Sequence, residues 1–183
     1  MVKENLAQKE RLEKIFKKIK VVYGTVPPQM KFLGNIEADY LEDFLVMILR
    51  IAKHPHIDPN LFTFLRLYIA FREEYAYCKM FNTQMLQIKG YTQEEQERVI
   101  DDLSNVPFDE KHKALAVFAV KAIYESKTCM QSDFDALYEM GWTQRDVFDA
   151  IEHAATLLRN GRILTAYSSK EYSLGLYKSL GRQ

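Results

Sequence analysis

At 183 residues, with 25 basic against 25 acidic side chains, the chain suits one domain, or one domain with an added arm, and can bury its core without disulfide staples. Balanced charge gives no global field toward phosphate backbones or anionic lipid, so nucleic-acid and membrane partners are not expected. Two cysteines in such a chain point to a reducing compartment, where a disulfide would be transient rather than structural.

The opening "MVKENLAQKERLEKIFKK" is charged from its third residue and offers no apolar stretch of the secretory kind, while its acidic residues fit a transit peptide poorly. The richest apolar runs, "LFTFLRLYIAF" and "ALAVFAVKAIY", are interrupted by Arg66 and Lys121 and are too short to span a bilayer. A cytoplasmic protein is expected.

Seven glycines and five prolines punctuate the chain, and between them apolar residues recur every three or four positions, which predicts an all-α fold of about seven or eight helices. The first helix covers about Lys3 to Lys20, with Leu12, Ile15, Phe16 and Ile19 on one side, and forms an N-terminal arm over 1–25. The main domain is expected over 26–183. "GTVPPQM" ends the arm, because Pro27 and Pro28 cannot continue a helix interior but can start a new one.

A second long helix is predicted from about Ile36 to His54, with Tyr40, Phe44, Met47, Ile48 and Ile51 facing the core. "HPHIDPN" breaks the chain, and Asp58 before Pro59 reads as an N-cap followed by a proline in the first helical position. From there to about Lys89 the helical pattern runs on, a central element of about 45 Å at about 1.5 Å per residue. Four further helices are expected near Gln93 to Leu103, Glu110 to Tyr124, Asp133 to Met140 and Gln144 to Ser168.

Thr92 with Glu95, Ser132 with Asp135 and Thr143 with Asp146 each place a hydroxyl three residues before a carboxylate, as in a capping box. Two joints, "KGYTQEEQERVID" and "MGWTQRDVFDAIE", align at glycine, aromatic, threonine and glutamine. A glycine past the helix end, a packing aromatic and a threonine N-cap are the ordinary grammar of a tight helix corner, which accounts for the likeness without a duplication.

On the central helix, Leu61, Phe64, Tyr68, Phe71, Tyr75, Cys78, Asn82 and Met85 share one broad face, with Arg66, Arg72, Glu73, Lys79 and Thr83 mostly elsewhere. A reactive cysteine needs a helix N-terminus or a nearby cation. In an uninterrupted helix Cys78 has neither, and Glu74 one turn upstream opposes its ionisation. Local chemistry therefore favours an unreactive thiol filling space. Tyr75 and Asn82 both donate and accept hydrogen bonds and form a polar spot beside it, able to orient a ligand or to be satisfied by neighbouring helices.

The stretch "YAYCKMFNTQMLQIKGYTQEE" resembles the AhpD-like alkylhydroperoxidase and carboxymuconolactone decarboxylase superfamily, whose thiol branch carries C-x-x-C-x-x-x-H followed by a glycine corner. The likeness continues through "DEKHKALAVFAVKAIYES" and "DFDALYEMGWTQRDVFDAIEHAATLLRNGRI", so that it covers roughly Asp39 to Tyr167. It implies an AhpD-like helical bundle and antioxidant peroxidase chemistry by an intramolecular dithiol, with a glutamate and a histidine moving protons. Cys78 falls on the second cysteine, but Tyr75 stands at the first, Asn82 at the histidine and Thr63 at the glutamate.

A single thiol can be oxidised to a sulfenic acid but has no resolving partner in the motif, and asparagine is no general base near neutral pH. The expectation is an oxidoreductase with at most single-thiol peroxidase-like activity through Cys78, regenerated by an external thiol. The alternative is a non-redox role on the same scaffold: a small apolar ligand, decarboxylase- or isomerase-like chemistry, or an inactive oligomeric module. Cys129, in the loop before Ser132, is a weak candidate for a resolving thiol. Pocket positions are therefore Thr63, Glu74, Tyr75 and Asn82 around Cys78.

His54, His56, His112 and His153 show no H-E-x-x-H or paired E-x-x-H spacing, so neither a metal nor any other cofactor is expected. "HPH" offers at most adventitious metal binding, and His153 reads as a helix-surface or interface residue. Homo-oligomers, trimers or hexamers, are what the resemblance implies, with a small molecule as substrate or ligand.

Overall fold

The computed structural model describes residues 2–168, with the side chains of 7–21 and 24–167. Among these residues the chain forms nine α-helices and no strand: α1 (Val2–Tyr23), α2 (Pro28–Ile36), α3 (Ala38–Ala52), α4 (Pro59–Arg72), α5 (Ala76–Ile88), α6 (Gln93–Asp101), α7 (Glu110–Tyr124), α8 (Gln131–Glu139) and α9 (Gln144–Ser168). Short 3-10 turns at Leu103–Asn105 and Ser126–Thr128 follow α6 and α7. No helix among the described residues is long and apolar enough to cross a membrane.

The helices belong to two units. One joins α1, α2 and α3 as far as Arg50 with the end of α9 from Ala166; the other runs Ile51–Thr165. In the first unit Ile15, Ile19, Met30 and Leu41 form the core, with Leu12, Phe16, Leu33 and Phe44 packed against it. Arg11 reaches from α1 to Glu42 and Asp39 of α3. The stripe expected on α3 holds at Phe44 and Ile51, but Leu41 takes the place of Tyr40: Leu41 is fully buried while Tyr40 is 57% exposed. The reason is that Leu41, one position on and 100° around the helix, is the residue that meets Ile15 and Ile19.

In the second unit α4 is buried almost all round: Leu61, Phe62, Phe64, Leu65, Leu67, Ile69 and Ala70 are closed to solvent. A helix apolar on every side belongs at the centre of a fold, and α4 packs against α5, α6 and α7. Its start is the predicted one, with Asn60 N–H donating to Asp58 Oδ1 at 2.7 Å and Pro59 in the first turn.

The single helix expected over Pro59 to Lys89 is two. Tyr75 N–H donates to Ala70 O (3.0 Å) and Glu74 N–H to Phe71 O (3.4 Å), the paired bonds of a Schellman ending. The same pair closes α5, through Tyr91 to Leu86 and Gly90 to Gln87, and α8, through Trp142 to Leu137 and Gly141 to Tyr138. Gly90 and Gly141 take the left-handed conformation there, with φ of +91° and +84°; at the end of α4 that conformation falls on Glu74, with φ +58°. The corner was hidden in the sequence because a glutamate occupies the position that normally advertises it.

A non-glycine residue in the left-handed region costs about 1 kcal/mol relative to glycine. Glu74→Gly is therefore expected to stabilise the fold by about that amount, read as a higher urea midpoint at unchanged m-value. A lower midpoint would show that Glu74 contributes more through its surface contact with Lys79 than it costs in backbone strain.

Two of the three expected capping boxes form. Thr92 and Glu95 cap α6 reciprocally, and Thr143 and Asp146 do so at α9, with Thr143 N–H on Asp146 Oδ2 at 2.8 Å and Asp146 N–H on Thr143 Oγ1 at 3.2 Å. At α8 the start is Gln131, earlier than expected, and Ser132 lies inside the helix. Asp133 bonds back to Met130 N–H at 2.9 Å and pairs with Lys121 at 2.7 Å, which moves the boundary toward the N-terminus.

Candidate active site

The α4–α5 corner sets the geometry of the candidate site. Tyr75 is at once the last residue of the corner and the N-cap of α5, and Cys78 is the third residue of the new helix. Cys78 thus stands in the first turn of a helix, contrary to the expectation from an unbroken helix. The helix dipole there favours a thiolate, yet Cys78 is only 7% exposed. Burial pushes its thiol up to about 11, against the smaller downward pull of the Arg66 guanidinium. Desolvation wins over charge, and the thiol is protonated at neutral pH.

Tyr75 turns to α9. A Cβ on Gly161 would fall 2.1 Å from Tyr75 Cε2, so the absence of a side chain at Gly161 is what admits the ring. The Tyr75 hydroxyl lies 3.5 Å from Glu73 Oε2; burial, with Glu73 adding to it, raises its ionisation above the ordinary tyrosine value. Glu74, expected to line the pocket, faces solvent and pairs with Lys79.

Thr63 and Asn82 are drawn together by a residue assigned to the other face. Arg66 donates through Nε to Asn82 Oδ1 (3.0 Å), through Nη2 to Thr63 Oγ1 (2.8 Å) and through Nη1 to His153 Nε2 (3.0 Å). Thr63 Oγ1 donates in turn to Pro59 O (3.2 Å) and Asn82 Nδ2 to Cys78 O (2.8 Å), so the cluster fastens the first turn of α4 to the first turns of α5. Because guanidinium only donates, His153 Nε2 must be the acceptor and its ring proton must sit on Nδ1.

His153 is therefore a fixed neutral imidazole. It is buried at 2% exposure, and burial, then Arg66, hold it well below the ordinary histidine value. This overturns its reading as a helix-surface or interface residue. Its position follows from α9, where Asp146, Asp149 and His153 recur at three- and four-residue spacing along one buried face. Arg66 had a signal in the sequence: a lone cation inside "LFTFLRLYIAF", where every neighbouring position is apolar or buried, must find polar partners inside the fold.

The chemistry open to this cluster is narrow. Arginine does not deprotonate in proteins, asparagine and threonine are no bases near neutral pH, and the accepting lone pair of His153 is already engaged. Both cysteines are free thiols, Cys78 buried and Cys129 half-buried past the second 3-10 turn. A shallow groove of about 700 Å³ is lined by Val117, Phe118, Leu137 and Met140 and by none of Thr63, Tyr75, Cys78 or Asn82.

His54 and His56 join a second polar cluster with Asp146 and Asp149 of α9. His54 Nδ1 accepts the N–H of Ile57 at 3.0 Å and of His56 at 3.3 Å, which commits the proton of the neutral ring to Nε2 and leaves no lone pair there for a metal. Among the described residues no group of three or more His, Cys, Asp or Glu side chains is placed to hold a metal ion.

No protein-family model and no curated protein matches the chain in sequence. Solved structures do match in shape. One is an uncharacterized peroxidase-related protein from Silicibacter sp. TM1040, 17% identical, with a TM-score of 0.73 over 84% of this chain and 81% of that one. Another is an alkylhydroperoxidase AhpD core, an uncharacterized peroxidase-related protein from Ralstonia eutropha JMP134, 18% identical, with a TM-score of 0.73 over 86% and 83%. At this identity the likeness establishes the fold, which is the AhpD-like helical bundle that the resemblance around Cys78 implies.

Proposed function

On the AhpD-like fold, we propose, this chain works without the dithiol cycle: its role is non-redox, and peroxide chemistry at Cys78 is confined to a slow single-thiol reaction. The observation that carries this reading is the buried, protonated thiol of Cys78, 7% exposed and pushed up to about 11, beside Thr63, Arg66 and Asn82. In the single-thiol reaction the Cys78 thiolate attacks the peroxide O–O bond, giving a sulfenic acid and an alkoxide, which takes up the proton the thiol released and leaves as the alcohol. One external thiol condenses with the sulfenic acid, releasing water, and a second reduces the mixed disulfide. Among the described residues, none of Thr63, Arg66 and Asn82 supplies a base for the first step.

A small-molecule role of the decarboxylase or isomerase kind would have to use Arg66, the permanent cation of the cluster, whose guanidinium is already bonded to Asn82, Thr63 and His153. Assembly into a homo-oligomer would use Val46 and Leu49, which lie one turn apart on α3 and are each more than half exposed.

Consumption of an organic hydroperoxide by the whole protein with excess small thiol is the test. The expected rate is that of Cys78→Ser within error. Saturable turnover that disappears in Cys78→Ser contradicts the non-redox reading and makes the single-thiol peroxidase the working activity.

A further inference from the structure

The turn between α3 and α4 is held by hydrogen bonds that only one protonation state of one histidine permits. His54 is 9% exposed. Its Nδ1 accepts from the backbone N–H of Ile57 (3.0 Å) and of His56 (3.3 Å). Its Nε2 faces α9, 3.4 Å from Asp149 Oδ2 and 3.7 Å from Asp146 Oδ1.

The other ionisable groups around it are known. From α9 they are Asp146, Asp149 and Arg145, whose Nε lies 3.4 Å from Asp149 Oδ2. From the turn itself there is His56, whose Nδ1 lies 3.0 Å from Asp146 Oδ1. From α4 the neighbour is the uncharged Phe62 ring, 5.9 Å between centroids.

A second proton on His54 can go only to Nδ1, where it would point at two backbone N–H groups. Both bonds are then lost, and the imidazolium is drawn instead toward Asp146 and Asp149. From this hydrogen-bond arrangement we propose that the His54–Ile57 turn is a pH-operated latch, closed while His54 is neutral and released when Nδ1 takes up a proton. Ile57, 1% exposed, is the side chain the latch holds in the core, and Asp58, the N-cap of α4, follows it directly.

Burial, the largest influence, lowers the folded-state value of His54 below the ordinary 6.5, against the opposing pull of Asp146 and Asp149. A histidine lowered in the closed state stabilises that state above the ordinary value, and the stabilisation is lost as pH falls below it. If the released ring titrates at the ordinary value and the closed ring takes up no proton over the range, opening rises about tenfold between about pH 7.5 and about pH 5.5.

Amide hydrogen exchange at Ile57 and His56, measured by NMR on the full chain and corrected for intrinsic rate, tests the latch. The expected result is a loss of protection of about tenfold over that pH range while Leu65 and Leu115 in the core stay protected. His54→Asn offers an acceptor oxygen that does not titrate, and should abolish the pH dependence; His56→Asn should keep it. The latch is overturned by flat protection in the unsubstituted protein, by loss of protection together with the core, or by a pH dependence that follows His56 rather than His54. Nitrogen shifts of the His54 ring report the Nε2–H form directly at about pH 7.5, and an Nδ1–H form there also overturns it.

Discussion

Arg66→Ala is expected to destabilise the second unit by about 3 kcal/mol. The substitution removes the donor from Asn82 Oδ1, Thr63 Oγ1 and His153 Nε2 at once, and these three side chains are each at most 7% exposed. A buried acceptor deprived of its partner costs roughly 1–3 kcal/mol, and relaxation of the half-buried site offsets part of the total. Arg66→Lys should recover little, because one ammonium cannot reproduce the three-armed planar geometry. Urea unfolding followed by helical signal measures the loss; a shift below about 1 kcal/mol would mean that water replaces Arg66 freely and that the cluster is not a structural centre. Loss of Arg66 also removes a cation that pulls the Cys78 thiol down, so the variant's thiol should ionise still less readily.

The helical architecture was legible because its punctuation is chemical. Asp58, Thr92 with Glu95, and Thr143 with Asp146 mark helix starts by groups that satisfy the free backbone N–H of a first turn, while Pro28 and Pro59 mark them by having no N–H there to satisfy. Gly90 and Gly141 mark ends through the left-handed backbone they permit. Where a residue took on a role against its type, the pattern was silent. Glu74 serves as the turn residue in place of glycine, so the division of α4 from α5 left no trace, and with it went the placement of Cys78 in a first turn.

The candidate site was half legible for a related reason. Tyr75, Cys78 and Asn82 could be placed by their spacing within one stretch and Thr63 by the family resemblance, but His153 comes from α9, 71 positions beyond Asn82, and only the packing of α9 on α4 brings it to Arg66. Glu74 was expected at the pocket because an unbroken helix would put it one turn before Cys78; the left-handed corner turns it to solvent instead. The polar stripe of Asp146, Asp149 and His153 is readable as a periodic feature of α9, though a sequence alone does not say whether such a stripe is buried or exposed.

Cys78 is a packed, protonated thiol rather than a poised nucleophile. With its thiol pushed up to about 11, about one molecule in 10⁴ carries the thiolate at about pH 7, against roughly a few per cent for an ordinary cysteine. The direct measurement is the pH dependence of alkylation at Cys78 in the folded protein, with peptide masses separating it from Cys129. A rate that is still climbing at about pH 10 is the predicted result. A rate at Cys78 that levels off below about pH 8, while the helical signal is unchanged, would mean that the first turn of α5 and Arg66 together overcome burial and that Cys78 is a poised nucleophile after all.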